Sequence, residues 1–172
     1  MNINSVDFFR KQNYTIPATI SMPVLVAWKL QNPENCGSLL RLADSVGFQK
    51  VWFVNSENII SIRKVKKIAG NSFSSMDFDF IDENEVLSKL PPDYRIVAIE
   101  TAPGSDNIFQ SSLPDRIVLV VGNEAKGIDA EFLSQCHSVV HIPLTGNCTS
   151  LNVSHAATVA AFEWLRQLMS RL

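Results

Sequence analysis

VLVVGNEAKGI, Val118 to Ile128, decides how this chain is read. Its unbroken apolar run predicts a strand covered on both faces, the form strands take in a parallel sheet. The run then passes into Gly-Asn-Glu-Ala-Lys-Gly. Polar groups at the carboxyl end of such a strand stand where open α/β folds build their sites, because backbone amides and short side chains converge there. Two other segments share this character: NPENCGSLLRLADSVG (Asn32–Gly47) and IPLTGNCTSLNVSHA (Ile142–Ala156). We read all three as parts of one site.

Working outward, short β-like runs alternate with helical ones, which predicts an α/β fold with a mostly parallel sheet and helices on both faces. Strands are expected at Val24–Leu30, Val51–Val54, Met76–Phe80, Arg95–Ile99, Ile117–Val121 and Ser138–Ile142. Helices are expected at Cys36–Val46, Ile59–Ala69, Glu83–Leu90 and Ala130–Gln135, with a long closing helix over Asn152–Leu172. Asn35 suits the cap of the first of these and Gly47 its stop, while Asp82 with Glu85 suits a capping box. The last helix carries an apolar stripe of Val153, Ala156, Ala157, Ala160, Ala161, Trp164, Leu165 and Leu168. That stripe suits either burial within the monomer or contact with a second subunit.

At 172 residues and 46% hydrophobic composition, the chain suits a single domain, with a short extension over about residues 1–22. No run of some 18 apolar residues and no secretory signal pattern appears, so a cytoplasmic protein is expected. Cys36, Cys136 and Cys148 show no CxxC pairing, so reduced thiols are expected, without a disulfide framework or zinc site. The net charge of −2 runs against a dedicated nucleic-acid binder. Arg63, Lys64, Lys66 and Lys67 nevertheless crowd one predicted helix, and Arg10 with Lys11 makes a second basic spot. On charge alone the first cluster suits a solvated helix face better than a contact.

Several familiar chemistries are excluded by spacing. Gly122 to Gly127 lacks the G-x-G-x-x-G fingerprint, and Ile128 stands where a phosphate loop needs lysine. Ser150 has no G-x-S-x-G elbow, and His155 reads as a packed helix residue without an Asp beside it. Cys148 near a helix start could be nucleophilic, but no His and Asn constellation accompanies it. Gly122 permits close backbone approach to a flat ligand. Glu124 is either an exposed turn carboxylate or a partner for Arg41.

In their order, the three segments resemble the SpoU branch of the SPOUT RNA methyltransferases, the TrmH-like family. Asn35-x-Gly37 with Arg41 looks like the first motif, Gly122-Asn123-Glu124 with Gly127 the second, and Ile142-Pro143-Leu144 through Ser150-Leu151-Asn152-Val153-Ser154 the third. The resemblance covers about Val24 to Leu165. It implies transfer of a methyl group from S-adenosylmethionine to a ribose 2′-hydroxyl in tRNA or rRNA, without a metal. It also implies a C-terminal trefoil knot, an exception to the rule that chains stay unknotted, and a homodimer. Ile99, Thr101, Gly122, Ile142, Leu144 and Leu151 would line the cofactor site. Arg41 would serve the 2′-hydroxyl, with Asn35, Glu124, Ser150 and Asn152 placing Arg41, the cofactor or the ribose. Since arginine keeps its proton at neutral pH, orientation and charge stabilisation are its expected role. The 2′-hydroxyl distinguishes RNA from DNA, and Arg63, Lys64, Lys66 and Lys67 become an expected RNA contact. Ala125, Lys126 and His155 depart from what relatives often carry. A minimal catalytic core without an added RNA-binding domain is expected. Two alternatives are an inactive knotted RNA-binding protein and a flavodoxin-like small-molecule binder.

Overall fold

The computed structural model describes residues 4–12, 23–54 and 60–171. After helix α1 (Ser5–Gln12), the chain alternates as expected: β1 (Val24–Ala27), α2 (Pro33–Val46), β2 (Lys50–Val54), α3 (Ile62–Ala69), the single-turn α4 (Ser72–Ser75) and β3 (Phe78–Ile81). A 3-10 turn at Glu83–Glu85 leads into α5 (Val86–Lys89) and β4 (Arg95–Ile99). There follow β5 (Asp106–Asn107), β6 (Ile117–Val121), α6 (Ala130–Leu133), β7 (Ser138–His141) and α7 (Val153–Met169).

All seven strands run parallel in one sheet, in the order β3-β2-β1-β6-β4-β7-β5. Alternate residues feed opposite layers, as the period of a strand requires. Leu25, Ala27, Phe53, Val97, Leu119 and Val121 pack with residues of α2, α3 and α7. Val24, Val26, Trp52, Ile96, Val118 and Val120 pack with Val86 of α5 and Phe132 of α6. Because every strand points the same way, all the loops that leave them gather at one edge.

Several expected boundaries move. The first strand stops at Ala27 because Lys29 takes φ 50 and turns the chain. Helix α2 starts at Pro33, and its cap is Asn32, whose side chain accepts from Glu34 N at 2.8 Å. Asn35 is therefore a residue of the first turn rather than the cap. Proline suits the first helical position because its missing N–H has no intrahelical partner there. Gly47 does end α2, at φ 87, and the Asp82–Glu85 capping box forms. The strand expected at Met76–Phe80 runs instead from Phe78 to Ile81, since Met76 closes α4. The helix expected from Ile59 begins at Ile62; Ile59 itself lies outside the described residues, as do Leu172 and most of the first 22.

Helix α7 buries Val153, Ala157, Ala160, Ala161, Trp164 and Leu168 within the monomer and leaves Ala156 and Leu165 half-buried. Its exposed apolar residues are Phe162 and Met169, seven apart and so on another face. His155, expected to be packed, is exposed. No helix among the described residues is long and apolar enough to cross a membrane.

Candidate active site

At the carboxyl edge, the exits of β4, β6 and β7 and the start of α7 enclose a cleft of about 540 Å³. Its walls are Ile99–Thr101, Val121–Gly127, His141, Ile142, Leu144 and Ser150–Val153, with Ala156. All six positions named for cofactor binding line it: Ile99, Thr101, Gly122, Ile142, Leu144 and Leu151. Glu124, Ser150 and Asn152 line it as well, whereas Asn35 and Arg41 do not.

The loop after β6 folds back on itself. Asn123 and Gly127 exchange backbone hydrogen bonds of 3.0 and 2.9 Å. The Asn123 carboxamide accepts from Ala125 N and Lys126 N and donates to Lys29 O at 2.6 Å. A Cβ on Gly122 would stand 2.6 Å from the Gly127 carbonyl carbon, so the close return of its own loop requires glycine here. Gly127 takes φ 67, a conformation glycine adopts without strain. Beyond it, Asp129 accepts from Trp28 Nε1 at 2.9 Å and from Lys29 Nζ at 2.8 Å. These bonds hold its carboxyl below the usual aspartate value, the lysine bond most of all.

The same loop ties the other two segments together. Glu124 is exposed, yet its Oε1 accepts from Asn35 Nδ2 at 2.7 Å and its Oε2 from Gln31 N at 3.4 Å. Its partner is thus Asn35 and not Arg41. Asn35 is 5% exposed, and its Oδ1 accepts from Asn152 Nδ2 at 3.1 Å. Asn152 caps α7, accepting from Ser154 N at 2.8 Å. A buried side-chain amide needs partners for both its donor and its acceptor; Asn35 finds one in each of the other two segments.

Arg41 stands six residues along α2, about 9 Å up the helix axis. It is exposed and has no side-chain hydrogen bond or ion pair among the described residues. Ser150 is exposed on the rim. Cys36 is buried, and that burial, reinforced by the Glu124 carboxylate, pushes its thiol up to about 12. Burial raises Cys136 to about 11. Neither is a thiolate at neutral pH, and exposed Cys148 lies outside the cleft lining. Among the described residues no group of His, Cys, Asp and Glu could hold a metal.

Arg63, Lys64, Lys66 and Lys67 are all exposed on α3, away from the cleft lining. Lys66 Nζ sits 5.7 Å from the Phe73 ring centroid. The sequence reading missed Glu100 and His141 as lining residues. Each lies one position from a residue it did name, so extending every motif to the whole strand exit would have found them.

The chain matches the model of the SpoU rRNA Methylase family over residues 22–162. It is 30% identical over 161 residues to a 23S rRNA (guanosine-2′-O-)-methyltransferase RlmB of Blochmanniella floridana, covering 93% of this chain and 61% of that protein. The chain thus spans about three fifths of that curated relative. A solved structure concerned with 2-OH methylation of C/U34 on tRNA superposes with TM-score 0.79 at 27% identity, over 87% of this chain and 98% of that one. The SpoU methyltransferase AviRb of Streptomyces viridochromogenes, solved with AdoMet, shares the fold at TM-score 0.79 and 24% identity, over 88% of this chain and 59% of that one. Its motifs joined around one cleft and its sequence matched to that model through most of its length, this chain belongs to the SpoU rRNA methylase family.

Proposed function

We propose that this protein transfers a methyl group from S-adenosylmethionine to a ribose 2′-hydroxyl of tRNA or rRNA. The observation that carries the reading is the joining of all three family segments around one cleft through Glu124, Asn35 and Asn152. The cleft suits such a donor: its volume lies in the range of small-ligand sites, and Leu144 and Leu151 leave apolar side chains exposed at its rim for a flat ring to cover. When bound, the cofactor supplies an electrophilic methyl group. The residues of this chain hold and orient the partners. Asn35, fixed by Glu124 and Asn152, locks the first turn of α2 to the loop after β6 and so sets where Arg41 stands. The free guanidinium of Arg41 then orients the ribose and stabilises charge that develops as the hydroxyl loses its proton. Ser150 offers a hydroxyl from the rim to cofactor or ribose.

RNA reaches the cleft from the side of α3, which begins at the same edge because β2 ends there. Its first turn holds Arg63 and Lys64 and no acidic residue. A helix dipole favours the opposite charge at that end. A local electrostatic rule broken this way is expected at functional surfaces.

The remaining assignments extend the same reading. Residues 1–172 act as one cytoplasmic domain, about residues 1–22 forming an extension of it, with β7 and α7 threaded as a trefoil knot. Two copies pair through exposed apolar residues such as Phe162 and Met169 of α7. A crystal structure with the donor bound would read knot and dimer together, and an unthreaded or monomeric chain would refute them.

The central test is transfer of labelled methyl from S-adenosylmethionine to unmodified tRNA and rRNA fragments, with nuclease digestion to identify the nucleoside. We expect a 2′-O-methyl nucleoside, and a rate loss of roughly a hundredfold or more in Arg41→Ala. Donor binding without transfer to either RNA would favour a binding protein that has lost catalysis.

A further inference from the structure

We propose that Glu100 is the positioning residue that holds three walls of the cleft at the spacing a bound donor requires. The inference rests on the reading of this cleft as the S-adenosylmethionine site. Glu100 stands directly after β4, outside all three motifs. Its Oε1 accepts from Thr101 N at 2.9 Å, on the wall that continues β4. Its Oε2 accepts from Ile128 N at 3.0 Å, at the far end of the loop that leaves β6. Its own backbone N–H donates to Val140 O at 3.0 Å, one residue before His141 and two before Ile142 enter the third wall. One residue thus bonds to the exits of three neighbouring strands.

The loop after β6 is shaped around this carboxylate. A Cβ on Gly127 would overlap Glu100 Oε2, so the glycine provides space for it as well as the φ of 67. Hydrogen bonds to a charged acceptor are stronger than neutral ones, and two backbone amides that converge on one carboxylate fix two loops at once. Loops otherwise move independently, and a ligand that must order them binds more weakly. The Thr101 and Ile128 amides are engaged by Glu100, so Glu100 acts through the walls, while the chemistry is placed on the opposite side by Asn35, Glu124 and Arg41.

The test compares the full chain with Glu100→Ala and Glu100→Gln, with S-adenosylmethionine itself as the probe. Titration calorimetry reads affinity, and amide hydrogen exchange without ligand reads the loops. We expect Glu100→Ala to bind the donor about tenfold more weakly, with faster exchange at Thr101 and Ile128 and near-normal exchange in β1, β6 and α2. Glu100→Gln keeps one acceptor oxygen and should fall between. In turnover, KM for the donor should rise about tenfold while kcat stays within about twofold. Equal affinity in all three proteins overturns the proposal. So does a loss in both variants accompanied by faster exchange throughout the sheet, which would make Glu100 a residue of general stability. If the unaltered protein fails to bind S-adenosylmethionine, the functional reading falls instead; the exchange at Thr101 and Ile128 then still shows whether Glu100 ties the loops.

Discussion

A single buried carboxylate shows how much one side chain organises here. Glu163 on α7 is 8% exposed and accepts from Arg166 Nε at 2.8 Å, Arg166 Nη2 at 2.7 Å and Gln167 Nε2 at 2.8 Å. Gln167 in turn donates to Ser111 O at 2.9 Å and accepts from Leu113 N at 2.8 Å, which fastens the segment between β5 and β6 onto α7. Glutamine at 163 would set an NH2 group against the guanidinium and should cost about 1–3 kcal/mol at neutral pH. The bond from Arg166 holds the Glu163 carboxyl below its ordinary value of 4.5, against the opposing effect of burial. A depressed value means that the unfolded chain binds the proton more readily. This stabilisation is therefore complete above 4.5 and is lost as pH falls through the lower folded value. Urea unfolding of the protein and Glu163→Gln should show a constant gap from pH 6 to 8 that narrows below about pH 4. A gap as wide in acid as at neutral pH would refute the assignment.

At the scale of elements, close packing of α2 on α3 gives Gly37 a reason beyond its motif. A Cβ there would meet Ile68 Cβ at 2.6 Å and Val65 O at 2.8 Å. Alanine would gain about 1 kcal/mol of helix propensity, but overpacking against a backbone oxygen costs about 1–3 kcal/mol and pushes α3 outward. Gly37→Ala should therefore lower the urea midpoint, while Gly146→Ala, with nothing within 4 Å, should leave it nearly unchanged. Equal midpoints would mean that α3 yields freely. This contact is invisible in sequence, where Gly37 reads only as part of Asn-x-Gly. Other elements were plain. Strand β6 begins and ends where its apolar run does, β4 adds only Arg95 to its own, and all three loop motifs come together because every strand is parallel. Strand β5 is two polar residues at an edge, which no hydrophobic pattern marks. Asn35 carried a legible signal that the capping argument hid. It lies on the Asn35, Leu39, Leu42, Val46 stripe, where a polar residue on the core-facing side needs buried partners; Pro33 pointed to Asn32 as the cap. Arg41 is legible as an exposed cation, but sequence could not show that it stands outside the cleft lining.

For the molecule as a whole, the proposed function requires a chain of net charge −2 to engage a polyanion. Attraction to phosphate decays within about 10 Å at 0.1 M salt, so the arrangement of charges near the cleft outweighs their total. Exposed cations gather on α3, whose first turn, with Arg63 and Lys64, lies at the edge where the cleft opens, whereas Lys89 and Arg95 lie just before β4 and at its start, toward the opposite edge. Lys64→Glu with Lys67→Glu and Lys89→Glu with Arg95→Glu change the total charge equally. If α3 receives RNA, the first pair weakens binding and makes the slope of log affinity against log salt shallower by roughly 1.5, at about 0.7–0.9 per lost phosphate contact. The second pair should leave that slope nearly intact. Filter binding of an unmodified tRNA across a salt series separates the cases. Equal slopes in the two variants would show that total charge governs, and that α3 carries only a solvated face.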